Sequence, residues 1–146
     1  MAAPFSDGPA DSYYDGPVDD RPRPRQGRVR VGSVVIDCND FRRMRAFWQQ
    51  ALGYEPKWLV EDDFVILRDP EGRHVNVSLQ KVPEPRVGKN RLHFDLYTAD
   101  QKGEVERLIA IGATRHPRVP EPDEDFILLM DPEGNVFCVV DASGDA

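Results

Sequence analysis

His93 and Asp95 stand two residues apart in the run His93-Phe94-Asp95-Leu96-Tyr97. In an extended strand, residues two apart leave the same face. An imidazole and a carboxylate so placed can share a proton, act as a general acid and base, or offer two ligands to a cation. The same alternation groups Ser33, Val35 and Asp37 on one face of their strand, and His74, Asn76 and Ser78 on one face of another. With Tyr97 beside His93 and Asp95, these faces form a polar surface of acidic character. A carboxylate such as Asp37 or Asp95 within a strand core needs a partner to offset desolvation. Cys138 and His93 make a formal nucleophile and base pair. A buried cysteine is more often a small core residue, and no third group in the sequence is identifiable to orient the base. Trp58 and Tyr97 supply aromatic surface that can close over a ligand.

Other chemistries lack their motifs. The chain has no Gly-rich phosphate loop, no GxSxG elbow, and no HExxH or CxxC spacing for a metal. The third histidine, His116, precedes Pro117 at a strand end or loop.

These side chains are carried by a duplication. Asp63 to Gly72 (DFVILRDPEG) returns as Asp125 to Gly134 (DFILLMDPEG), and Ser33 to Asp40 (SVVIDCND) aligns with His93 to Asp100 (HFDLYTAD). Each copy reads as an apolar strand, an Asp, an amphipathic stretch ending in Gly, a short extended segment, an apolar strand, an Asp-Pro-Glu-Gly turn and a final strand. The pattern predicts βαβββ twice, an α+β fold of two tandem modules over 29–82 and 89–141. Two facing modules of this kind usually enclose a site. Asp40 and Gly53 bracket the first helix around Phe41, Met44, Phe47 and Trp48; Asp100 and Gly112 bracket the second around Val105 and Leu108. In the turn, Pro fixes φ, Gly supplies φ > 0 and Asp bonds back to the following backbone. Residues 1–28, rich in Pro, Gly and Asp with an Arg/Pro run at Arg21 to Arg25, read as a disordered tail, and 142–146 as a short C-terminal tail.

Composition narrows the function. The 146 residues fit one domain, and a hydrophobic fraction of 40% suffices for an ordinary core. A net charge of -7 argues against binding nucleic acid or anionic membrane, and makes cationic or neutral small ligands the expectation. No apolar run is long enough to span a bilayer and no secretory h-region opens the chain, so the expected location is cytoplasmic. Strand alternation puts Cys38 on the face opposite Ser33, Val35 and Asp37, while Cys138 points inward, so no bridge between the two is expected.

The doubled βαβββ order, Val34 to Asp40 before a helix holding Phe47-Trp48 and Leu52-Gly53, the segment Lys89 to Leu96, and Asp131 to Asn135 together resemble the vicinal oxygen chelate superfamily, nearest its glyoxalase-like and bleomycin-resistance branch. The resemblance covers about residues 29–141. It implies a cup, with a divalent metal held by one residue from the first and one from the last strand of each module. Those positions fall on Ser33, Asn76, His93 and Cys138. The superfamily's metal enzymes place His or Glu there, so Ser33, Asn76 and Cys138 depart from the pattern. The expectation is a metal-independent protein that holds a small molecule through His93, Asp95, Asp37, Asn76, Ser33 and Cys138, with Tyr97 and Trp58 closing over it and no cofactor. The alternative is a lyase, isomerase or dioxygenase with an altered metal site or His/Asp acid-base chemistry. A homodimer is implied by the resemblance, since the superfamily pairs its modules both within and between chains.

Overall fold

The computed structural model describes residues 29–144, so the expected tail at 1–28 lies outside the described residues. The first module contains β1 (Ser33–Cys38), α1 (Phe41–Leu52), β2 (Glu55–Val60), β3 (Phe64–Arg68) and β4 (Asn76–Lys81). The second contains β5 (Asp95–Thr98), α2 (Gln101–Ala110), β6 (Thr114–Arg115), β7 (Phe126–Met130) and β8 (Val136–Asp141). Each module is a four-stranded sheet, ordered β1-β4-β3-β2 and β5-β8-β7-β6. First and last strands pair in parallel and the other neighbours antiparallel. The fold is α+β, two βαβββ modules in tandem.

The helices start and stop where their end residues dictate. Asp40 accepts a hydrogen bond from the Arg43 N–H at 3.3 Å, and Gly53 ends α1 in the left-handed region at φ 67°. Asp100 caps α2 through the Gly103 N–H at 3.1 Å. Phe41, Met44, Phe47 and Trp48 on α1 and Val105 and Leu108 on α2 are buried. They pack with Val65, Leu67 and Leu79 of the first sheet and Leu129, Phe137 and Val139 of the second in a single apolar cluster. Trp48 sits at its centre, edge-on to Phe47, Phe94 and Phe137.

Because strand side chains alternate, a core on one sheet face leaves the other to the site. Cys38 is buried while Val35 and Asp37 are exposed; on β5, Leu96 turns inward and Asp95 and Tyr97 outward. Asp37 is therefore not a core carboxylate. Both Asp-Pro-Glu-Gly turns close with a Gly N–H to Asp C=O bond of 2.9 Å. The copies diverge just after the turn. Leu67 pairs with Val77 across the first hairpin, but Met130 pairs with Val136 across the second. The second hairpin is shorter, and β8 slides by two residues relative to its turn. Asn76 stands across from Ser33, whereas Cys138 stands across from Asp95.

Candidate functional site

That slide brings three chemical groups together at the head of β5. His93 Nε2 lies 3.3 Å from Asp95 Oδ1, both side chains about half exposed. Ligand-capable atoms of His93, Asp95 and Cys138 all lie within 4.8 Å of one another. The Cys138 thiol is buried beside the Asp95 carboxylate. Burial first, then that carboxylate, push its pKa up to about 11. A thiol held so is protonated at neutral pH, which removes support for a nucleophilic role. Cys38 is also a free thiol, pushed up to about 12 by burial and by the negative charge of Glu133 and Asp37.

Two cavities adjoin this cluster. The larger, of about 780 Å³, lies between the modules and is lined by Asp37 on the β1 edge, by His93 and Phe94, and by the turn residues Asp131 and Glu133. The smaller, about 450 Å³, opens on the second module and is lined by His93, Cys138 and His116 among others. His93 and Asp37 thus share one cavity, and His93 and Cys138 the other. Asp95 lines neither but holds His93 and Cys138. Ser33, Asn76, Tyr97 and Trp58 line neither cavity. Ser33 Oγ instead bonds the Ser78 hydroxyl at 2.6 Å and the Asn76 C=O at 3.3 Å. Trp58 and Tyr97 are 43% and 72% exposed, on open sheet surface away from the cavities.

The donors present decide whether the superfamily's divalent metal fits. At three of the four expected positions they do not fit it: Ser33 is committed to neighbours in its own sheet, Asn76 is a weak neutral donor, and Cys138 is set across from Asp95, which leaves His93 alone. His93, Asp95 and Cys138 form a different, three-donor set within one module. Among the described residues it is the one cluster of His, Cys and carboxylate with metal-ligand spacing.

Several residues that shape the site were not singled out as site residues from the sequence, although Asn90 and Glu133 lie in motifs it marked. The Asn90 side chain takes the place of a strand neighbour for Val136, its Oδ1 accepting from the Val136 N–H at 2.9 Å and its Nδ2 donating to the Val136 C=O at 3.1 Å. Glu133 reaches from the second turn to the start of α1 and accepts from the Asn39 and Asp40 N–H groups at 2.9 to 3.1 Å. Arg86 donates to the Glu133 C=O at 3.0 Å and to the Gly88 C=O. These contacts fix the segment between the modules as a cavity wall.

Sequence and structure comparisons converge on this architecture. The family model of the glyoxalase-like domain matches residues 33–140. No curated protein sequence matches the chain. A glyoxalase/bleomycin resistance protein/dioxygenase family enzyme from Burkholderia phytofirmans PsJN is 21% identical, with a TM-score of 0.61 over 76% of this chain and 97% of that one. A glyoxalase-related enzyme from Fulvimarina pelagi is 14% identical, with a TM-score of 0.58 over 76% and 86%. The fosfomycin resistance protein FosX from Listeria monocytogenes, solved with Mn(II) and 1S,2S-dihydroxypropylphosphonic acid, is 13% identical, with a TM-score of 0.63 over 80% and 91%. The doubled βαβββ fold and the family match place the chain in the vicinal oxygen chelate superfamily. Within it, the chain belongs to the glyoxalase-like domain family.

Proposed function

We propose that this chain binds a small organic molecule without a metal, in the cavity between its modules. The observation that carries the reading is the convergence of Asp37 and His93, from the first strand edge of one module and the head of the first strand of the other, on a cavity of about 780 Å³. A concave site of that size, in which polar and charged side chains alternate with apolar ones such as Val35, Trp48 and Phe94, suits recognition of a small ligand. The poor donors Ser33 and Asn76 at two of the four metal positions, and the setting of Cys138 across from Asp95, support the metal-free part. No helix among the described residues is long and apolar enough to cross a membrane. Two free thiols suit a reducing cytoplasm, where we place the protein. Exposed apolar side chains at Val35, Leu59, Val60 and Tyr97 support a homodimer, to be read from sedimentation equilibrium.

The test is a thermal-shift screen of neutral and charged small molecules on the full chain, followed by titration calorimetry and product analysis of each hit. Asp37→Asn and His93→Ala should each weaken binding by about 1 to 3 kcal/mol, the usual effect of removing one partner of a buried polar contact, with the ligand recovered unchanged. Hits that bind both variants as tightly as the wild type defeat the assignment. A second reading is favoured by the His93, Asp95 and Cys138 cluster: an enzyme whose metal sits on those three donors. Turnover of a hit that is lost in Cys138→Ser and restored by added metal in the wild type alone would establish that reading instead.

A further inference from the structure

The smaller cavity has a charge character that the whole-chain balance conceals. Five basic side chains line it, Arg86, Lys89, His93, His116 and Arg118, and no carboxylate does. This occurs on a chain of net charge -7. The larger cavity carries the opposite balance, with Asp37, Glu84, Asp131 and Glu133 against Arg86, Arg91 and His93.

The basic groups are not equally compensated. Arg118 is paired with Glu124 and lies over the Phe126 ring, and His93 is paired with Asp95. Among the described residues Arg86 is held only by the Glu133 and Gly88 carbonyls, which fix the guanidinium in place but leave its charge without a carboxylate partner. Lys89 has no carboxylate partner among the described residues. The His116 Nδ1 accepts from the Arg118 N–H at 3.1 Å, so the neutral ring carries its proton on Nε2 and is a donor. The field of Arg118 and Lys89 reaches the Cys138 thiol on the cavity floor. The rest of the floor is apolar, with Leu128, Met130 and Val136.

We infer that this second-module cavity binds the anionic group of a small organic acid, a carboxylate or phosphate, with its apolar body on Leu128, Met130 and Val136. The pre-fixed Arg86 fork and the uncompensated Lys89 ammonium supply the charge, and the His116 Nε2–H a directed hydrogen bond. Its apolar floor distinguishes the site from a bare patch of surface lysines and arginines, which would recruit anions without selecting their bodies. The inference deepens the small-molecule reading and rests on it. Arg86, Asn90, His93 and Val136 wall both cavities, so one ligand can reach from the first into the second.

The experiment uses the full chain and four probes sharing one ring: benzoate, benzylphosphonate, neutral benzamide and cationic benzylamine. Amide and methyl NMR titrations are read at low salt and at about 0.5 M salt. Benzoate or benzylphosphonate should bind at least tenfold more tightly than benzamide and shift the Met130 methyl and the Lys89 and Cys138 amides. Added salt should weaken that binding. Which anion binds better separates a carboxylate from a phosphate ligand. Lys89→Glu should lower anion affinity at least tenfold without changing the melting temperature, because Lys89 makes no contact that the fold needs, while Lys89→Arg should retain it. Equal binding of benzamide, tighter binding of benzylamine, anion affinity unchanged in Lys89→Glu, or no anion binding up to about 10 mM would each overturn the inference. Benzylamine binding lost in Asp37→Asn would overturn it while leaving the inter-module reading standing. A screen silent in both cavities removes both.

Discussion

Trp48 of the first module donates its indole N–H to the buried carboxylate of Asp131 in the second, at 3.1 Å. Asp131 is 2% exposed and also accepts from the Glu133 and Asn135 N–H groups and the Asn135 amide, at 2.9 to 3.0 Å. Among the described residues its counterpart Asp69 accepts only from backbone N–H groups of its own turn. The repeated turn therefore has two functions. In one copy it reverses the chain, and in the other it also ties the modules together beside the larger cavity.

Asp131→Ala should destabilise the fold by about 3 to 5 kcal/mol, because it strands several buried donors, whereas Asp69→Ala should cost about 1 kcal/mol. Trp48→Phe, which removes the indole donor and leaves a small void, should fall between them. Urea unfolding of the three variants checks the order. Equal losses in Asp131→Ala and Asp69→Ala would show that the tie between the modules contributes nothing.

The two turn glycines provide a second comparison. Gly72 and Gly134 have φ of 68° and 83°, so Ala at either position should cost about 1 kcal/mol in backbone strain. Open space surrounds Gly72, but a Cβ on Gly134 would meet Arg86 Nη2 at 2.9 Å. The flexible Arg86 head can give way. Gly134→Ala should therefore differ from Gly72→Ala chiefly in displacing that guanidinium, reducing anion affinity in the smaller cavity severalfold. Paired melting curves and benzoate titrations read both effects.

Thiol titration tests the burial of the two cysteines. Their folded pKa values of about 11 and about 12 lie above the ordinary value of 9.0. A group whose pKa is raised by folding contributes stability in full below its unfolded pKa, and loses it as pH rises through the folded value. Stability should thus be flat around pH 7 to 8 and decline from about pH 9 upward, with the decline reduced in Cys38→Ala/Cys138→Ala. In native protein at pH 8 both thiols should react with Ellman's reagent far more slowly than in urea. Rapid native labelling of Cys138 would mean that its thiol is not held by burial and Asp95.

Metal content decides between the two readings of the His93, Asp95 and Cys138 cluster. Protein grown in metal-supplemented medium should contain well under one Zn, Ni, Fe or Mn per chain, and a chelator should leave its melting temperature unchanged. A stoichiometric metal whose removal lowers the melting temperature, and which is absent from Cys138→Ser, would replace the metal-free proposal with the enzyme.

The sequence alone determined what depends on neighbours in the chain. The doubled Asp-Pro-Glu-Gly turns, the caps Asp40 and Asp100, the stop at Gly53 and the strand alternation that groups His93 with Asp95 all follow from local backbone preferences, and with them the α+β duplication. Tertiary structure decided the rest. The two-residue slide of β8 depends on how a whole hairpin pairs, so counting from Gly134 aligned Cys138 with Asn76, while the ladder sets it across from Asp95. Arg86, Lys89, His116 and Arg118 come from two separate loops that only the folded chain brings to one cavity. Net charge sums over the whole chain and is blind to that convergence, which is why an acidic sequence could contain a cavity lined by cations.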